Sequence, residues 1–92
     1  MTFTYPAVFR RQEDGTYRGF FPDLEGCVAE GETLDDCIND AIEAERAWIW
    51  LELTEEEGIL PFVSDHDDLT LQEGDEIRNI QVIIHLQEGY SD

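Results

Sequence analysis

The chain contains no lysine, and its positive charge rests on five arginines against 23 aspartates and glutamates. Affinity for nucleic acid comes from cations that displace counterions from phosphates. A formal net charge of −18 leaves almost none to offer, so direct binding to DNA, RNA or an anionic membrane is not expected. A basic protein partner, or simple solubility, fits the sign. The chain also has no apolar run near the ~20 residues of a membrane span, and no basic, apolar leader. A soluble, cytoplasmic protein is expected. Two cysteines, Cys27 and Cys37, give no disulfide framework, and their spacing of ten residues matches no zinc pattern. Both are expected as small buried residues.

What is present suffices for one core. The 92 residues are 41% apolar and include two tryptophans, three tyrosines and five phenylalanines, which fits a single domain over residues 1–92. FTYPAVF places Phe3, Tyr5, Ala7 and Phe9 on alternate positions, the period of a strand with one buried face. Pro6 lacks an amide hydrogen and belongs at that strand's start or on an edge. Asp14-Gly15 offers the positive backbone angles of a tight turn, and residues 16–21 return as the second strand. Pro22 and Asp23 break it, Leu24 is apolar, and a short third strand at Cys27, Val28 and Ala29 is bracketed by Gly26 and Gly31, which are expected to relieve the backbone at its two ends.

Thr33 is placed to cap a helix, with Asp36 three residues on as in a capping box, and Glu32, Asp35 and Asp36 set negative charge at the positive end of the helix dipole. Leu34, Cys37, Ile38, Ala41, Trp48 and Leu51 or Glu52 recur at helical steps, predicting a helix to about residue 53. Glu45 interrupts this stripe. Either the helix rotates slightly so that Ala44 and Ile49 fill the gap, or Glu45 pairs with an arginine; because burying an unpaired carboxylate costs several kcal/mol, rotation or partial exposure is expected. Trp48 and Trp50 lie about 200° apart around the axis at 100° per residue, so one of them faces away from the core. With Leu53 they form a candidate partner or oligomer interface. ILPFVSD is expected to be extended or irregular, residues 65–76 are acidic and turn-rich, and residues 77–86 form a strand with Ile80, Val82, Ile84 and Leu86 on one face. The last residues are expected to fray. The fold class is therefore α+β in the order β-β-β-α-β, an antiparallel sheet with one long helix on one face.

The chemistry-bearing patterns fail on their own terms. GCVAEGET, residues 26–33, has the glycine spacing of a phosphate-binding loop, but Glu32 stands at the lysine position and would repel phosphate. Asp65, Asp67 and Glu76 fall in a calcium-loop register whose other positions are Leu69 and Thr70, so the register is broken. His66 and His85 have no companion at ligand spacing, and neither cysteine lies beside a recognisable catalytic segment. No catalytic, cofactor or metal residue is expected.

The stretch YPAVFRRQEDGTYRGFFPDLEGCVAEGETLDDCINDAIEA, residues 5–44, resembles the HicB family of antitoxins, on Tyr5, Pro22, Asp23, Leu24, Gly26, Cys27, Gly31 and Thr33 in order. EEEGILPFVS, with Gly58 and Pro61, resembles the family's segment after the helix. The resemblance implies a partial ribonuclease-H-like fold without that fold's catalytic carboxylates. It also implies an antitoxin that binds and occludes a small basic messenger-RNA-cleaving toxin of the HicA type, and assembly as a dimer or tetramer. The alternative is a stand-alone oligomeric module with another partner. Many family members carry a C-terminal DNA-binding domain; none is expected here, and residues 65–76 match no family feature.

Overall fold

Asp14-Gly15 turns the chain as expected, but only the glycine of the pair takes a positive backbone angle. Gly15 adopts φ +90°, the Gln12 amide donates to the Thr16 carbonyl at 2.7 Å, and the Asp14 carboxylate accepts from both the amide and the hydroxyl of Thr16. These bonds hold that carboxyl below its ordinary pKa. The turn joins strand β1 (Thr2–Arg11) to β2 (Tyr17–Phe20). The computed structural model describes residues 1–55 and 60–84. In it, β3 (Val28–Gly31), helix α1 (Leu34–Thr54), a single 3-10 turn (His66–Asp68) and β4 (Glu76–Ile83) follow in chain order. Cys27 lies just ahead of β3 instead of in it. His85, Leu86, the chain end and Gly58, all named in the sequence reading, lie outside the described residues.

The sheet has the order β3-β2-β1-β4, and every neighbouring pair is antiparallel. β4 therefore returns from the far end of the sequence to lie beside β1, with Thr2 opposite Ile83 and Phe9 opposite Glu76. Pro6 sits inside this ten-residue strand, not at its start. The β2 pairing ends at Val8, so at Pro6 one side of β1 has no ladder to interrupt. The core forms where Tyr5, Ala7 and Phe9 of β1, with Ile80 and Val82 of β4, meet the buried face of α1.

Thr33 caps α1, its hydroxyl accepting from the Asp36 amide at 3.1 Å. Gly31 stands at the end of β3 for a different reason from the one expected. It has no positive φ; a Cβ there would lie 2.4 Å from the Cys37 backbone nitrogen, so its missing side chain lets the helix start against the sheet. Gly26, at φ +79°, does relieve the backbone.

The helix stripe corrects the sequence reading at two places. The buried residues are Cys37, Ala41, Glu45 and Ile49, an unbroken ladder of four-residue steps, and Glu45 is 0% exposed. Ile49 joins the stripe and Ala44 packs against the core, as the expected rotation would have it, but Glu45 stays inside, because a turn that freed it would also lift Ala41 and Ile49 from the core. Leu51, by contrast, is exposed, and its neighbour Glu52 is half-buried.

Residues 65–75 lead into β4 and touch the sheet near both of their ends. His66 Nε2 meets Asn79 Oδ1 at 2.8 Å, and the Asp75 carboxylate takes two hydrogen bonds from the Arg10 guanidinium, each 2.9 Å. Arg10 and Asn79 point away from the helix side, as does Val8, which is buried without joining the main core. The unassigned acidic segment is thus tied to the sheet at two points, Asn79 of β4 and Arg10 of β1.

Candidate functional site

Seven of the eight motif residues lie around one turn and the helix start. The turn FPDLEGC folds on itself: the Leu24 amide donates to the Phe21 carbonyl, the Cys27 amide to the Leu24 carbonyl, and the Phe21 amide to the Cys27 carbonyl. Leu24 and Cys27 are buried, and Pro22 is exposed on the outside of the bend. The Trp48 indole donates to the Glu25 carbonyl at 2.9 Å, which pins α1 to this turn. Gly31 and Thr33 set the helix start as described.

Tyr5 and Asp23 reach beyond the turn to the segment after the helix. The Tyr5 hydroxyl donates to the Pro61 carbonyl at 2.6 Å. Asp23 accepts from the Ser64 amide at 2.8 Å and from the Ser64 hydroxyl. Burial, helped by the negative charges of Asp23 and Glu45, raises the Tyr5 pKa, so this phenol remains a donor. Between the two anchor points Phe62 is 96% exposed.

The titratable groups inside the fold are unsuited to nucleophilic work. Burial, then Glu45, pushes the Cys27 thiol up to about 11; burial, then Asp40 and Glu30, raises Cys37. Both remain thiols at neutral pH, whereas the thiolate is the reactive form. Burial also pushes the Glu45 carboxyl up to about 8, against smaller pulls from the Tyr5 amide and the Arg46 charge. Among the described residues neither of its oxygens has a partner at full hydrogen-bond distance and angle, the Tyr5 amide included. Among the described residues, no group of three or more His, Cys, Asp or Glu is arranged to hold a metal.

The surface offers charge and a few apolar points. Arg10, Arg46 and Arg78 each form an ion pair with a carboxylate of the same chain, while Glu30, Glu32, Asp35, Asp36 and Asp40 are exposed around the helix start. Of the interface candidates, Trp48 is half-buried and tied to Glu25, and Leu53 is packed on the core. Trp50 is the indole that faces outward. It lines a shallow groove of about 440 Å³ with Glu43, Arg46, Ala47, Ile83 and Ile84, next to the end of β4, the edge strand among the described residues. The sequence separated the two indoles by their angle; only the contact with Glu25 shows which one is occupied. It did not single out Phe62, although a phenylalanine directly after a proline in an irregular stretch was the available signal.

No helix among the described residues is long and apolar enough to cross a membrane. A family model described as HicB_like antitoxin of bacterial toxin-antitoxin system matches residues 5–87. A curated relative, UPF0150 protein ssr1765 of Synechocystis, is 32% identical over 47 residues, which cover 51% of this chain and 60% of that protein. The match therefore spans less than two thirds of that relative. Among solved structures, the N-terminal domain of the Burkholderia pseudomallei antitoxin HicB is similar in fold, at 23% identity and a TM-score of 0.72, over 89% of this chain and 100% of that one. A chain of the HicA3 and HicB3 toxin-antitoxin complex matches at 26% identity and a TM-score of 0.64, over 85% of this chain and 95% of that one.

Proposed function

This chain belongs to the HicB-like antitoxins of bacterial toxin-antitoxin systems, and from that premise we propose that it neutralises a small basic HicA-type toxin by binding it and covering its active site. The observation that carries the reading is the combination of this fold with a surface of one sign. A formal charge of −18, with three of the five arginines already paired to the chain's own carboxylates, favours encounter with a cationic, RNA-cleaving protein. It disfavours competition for the RNA itself. We take the role to be non-catalytic and cytoplasmic on a partial ribonuclease-H-like fold; thiols held protonated by burial support the first of these.

Co-expression tests it. The product of an adjacent short reading frame that encodes a basic protein should arrest growth alone and lose that effect when this chain is made with it. A harmless neighbour, or one still toxic beside this chain, removes the antitoxin reading. A second reading, a stand-alone oligomeric module with another partner, is favoured by the apolar groove at Trp50 and Ile83 beside β4, the edge strand among the described residues.

A further inference from the structure

Phe62 is 96% exposed, yet the backbone on both sides of it is fixed. On one side the Pro61 carbonyl accepts from the buried Tyr5 phenol at 2.6 Å, and Leu60 packs against the core. On the other, Ser64 is gripped through both its amide and its hydroxyl by the two oxygens of Asp23. Pro61 itself has a ring-locked φ. Four consecutive constraints therefore present one aromatic ring, followed by the exposed Val63, away from the domain. A single exposed apolar side chain is ordinary on a protein surface. A clamp spent on holding one outward is not, because none of the clamping bonds buries the ring.

We infer that Phe62 is the anchor by which this chain seats in an apolar cleft of its basic protein partner. The inference rests on the antitoxin reading and adds the contact point. Large aromatic side chains carry a disproportionate share of interface energy, and an anchor already held in its bound position loses little freedom on docking. The charge around it identifies the partner's chemistry. Asp65, Asp67 and Asp68 follow directly and are all exposed, so the ring stands beside an anionic rim that attracts a cationic surface and repels a second copy of this acidic chain. Tyr5 and Asp23, two of the motif residues, act here as positioning residues for Phe62.

The experiment titrates the purified product of the adjacent reading frame into wild-type protein, Phe62→Ala and Asp23→Asn by calorimetry, with melting temperatures and light-scattering masses of each protein alone. Phe62→Ala should weaken binding by at least about 30-fold with an unchanged melting temperature, since the ring supports nothing in the fold. Asp23→Asn, which keeps the ring but loosens its anchor, should weaken binding by a smaller factor. Wild-type affinity in Phe62→Ala overturns the anchor and leaves the antitoxin reading standing. Absence of binding by the wild type overturns both. A mass that falls toward monomer on Phe62→Ala assigns the ring to a contact between copies and overturns the anchor as stated.

Discussion

A carboxylic acid sealed among apolar side chains must keep its proton, and Glu45 does so at neutral pH. Its pKa of about 8 in the fold, against an ordinary 4.5, means that between these values the folded chain holds a proton that the unfolded chain has released. The contribution to stability is complete below the ordinary value. It declines as pH rises and is lost above the folded value, a change on the order of 5 kcal/mol. That is comparable with the whole stability of a small domain, about 5–15 kcal/mol. The wild-type melting temperature should therefore fall between about pH 5 and pH 9, while Glu45→Gln, which keeps the shape without the proton, should stay nearly level across that window. Parallel curves for the two proteins would show that Glu45 does not govern the dependence. Asp14 and Asp75, both held below their ordinary range, act in the opposite sense at more acid pH and do not confuse the test. The position of Glu45 on the helix stripe was legible in the sequence; its burial was not. The penalty for a lone carboxylate argued for exposure, and the packing of Ala41 and Ile49 on either side prevailed.

Elements set by neighbouring residues could be read in advance, and those set by distant ones could not. The Asp14-Gly15 hairpin, the Thr33 cap and the length of α1 depend on a few adjacent side chains, and all three stand as their residue types dictate. The place where the acidic segment ends depends on Arg10 meeting Asp75, 65 residues away, and nothing local in that segment announces the contact. Gly31 belongs to the same group, because the space it spares is filled by the helix. Gly31→Ala places a methyl 2.4 Å from one backbone atom and 2.7 Å from another, neither of which can swing aside. We expect a loss of roughly 1–3 kcal/mol, read as a lower denaturation midpoint in urea with an unchanged slope. Stability equal to wild type would mean that the helix start can draw back from β3.

For the whole molecule, the four-stranded sheet with one helix was implied by the order of the elements, and the family resemblance implied a partner-binding role. The surfaces were less legible, because which side chains remain uncovered is a property of the finished fold. Trp48 takes the bond to Glu25, and Trp50, on the other side of the helix, stays exposed. If the groove beside it joins two copies, Trp50→Glu should lower the mass measured by light scattering toward that of one chain, and an unchanged mass would remove Trp50 from any such seam. The two apolar features are thus separable: Trp50 is tested on the protein alone, Phe62 on its complex.

The pairing of β1 with β4 also sets a schedule. During synthesis the hairpin, the FPDLEGC turn and α1 can assemble as they emerge, but β1 keeps an open flank from Thr2 to Phe9 until Glu76–Ile83 arrives to cover it. The domain closes late, like a zip whose slider is its last strand. A protease that cuts ahead of Glu76 would detach the longer of β1's two seams, and the sheet would lose its closure from the end that formed last.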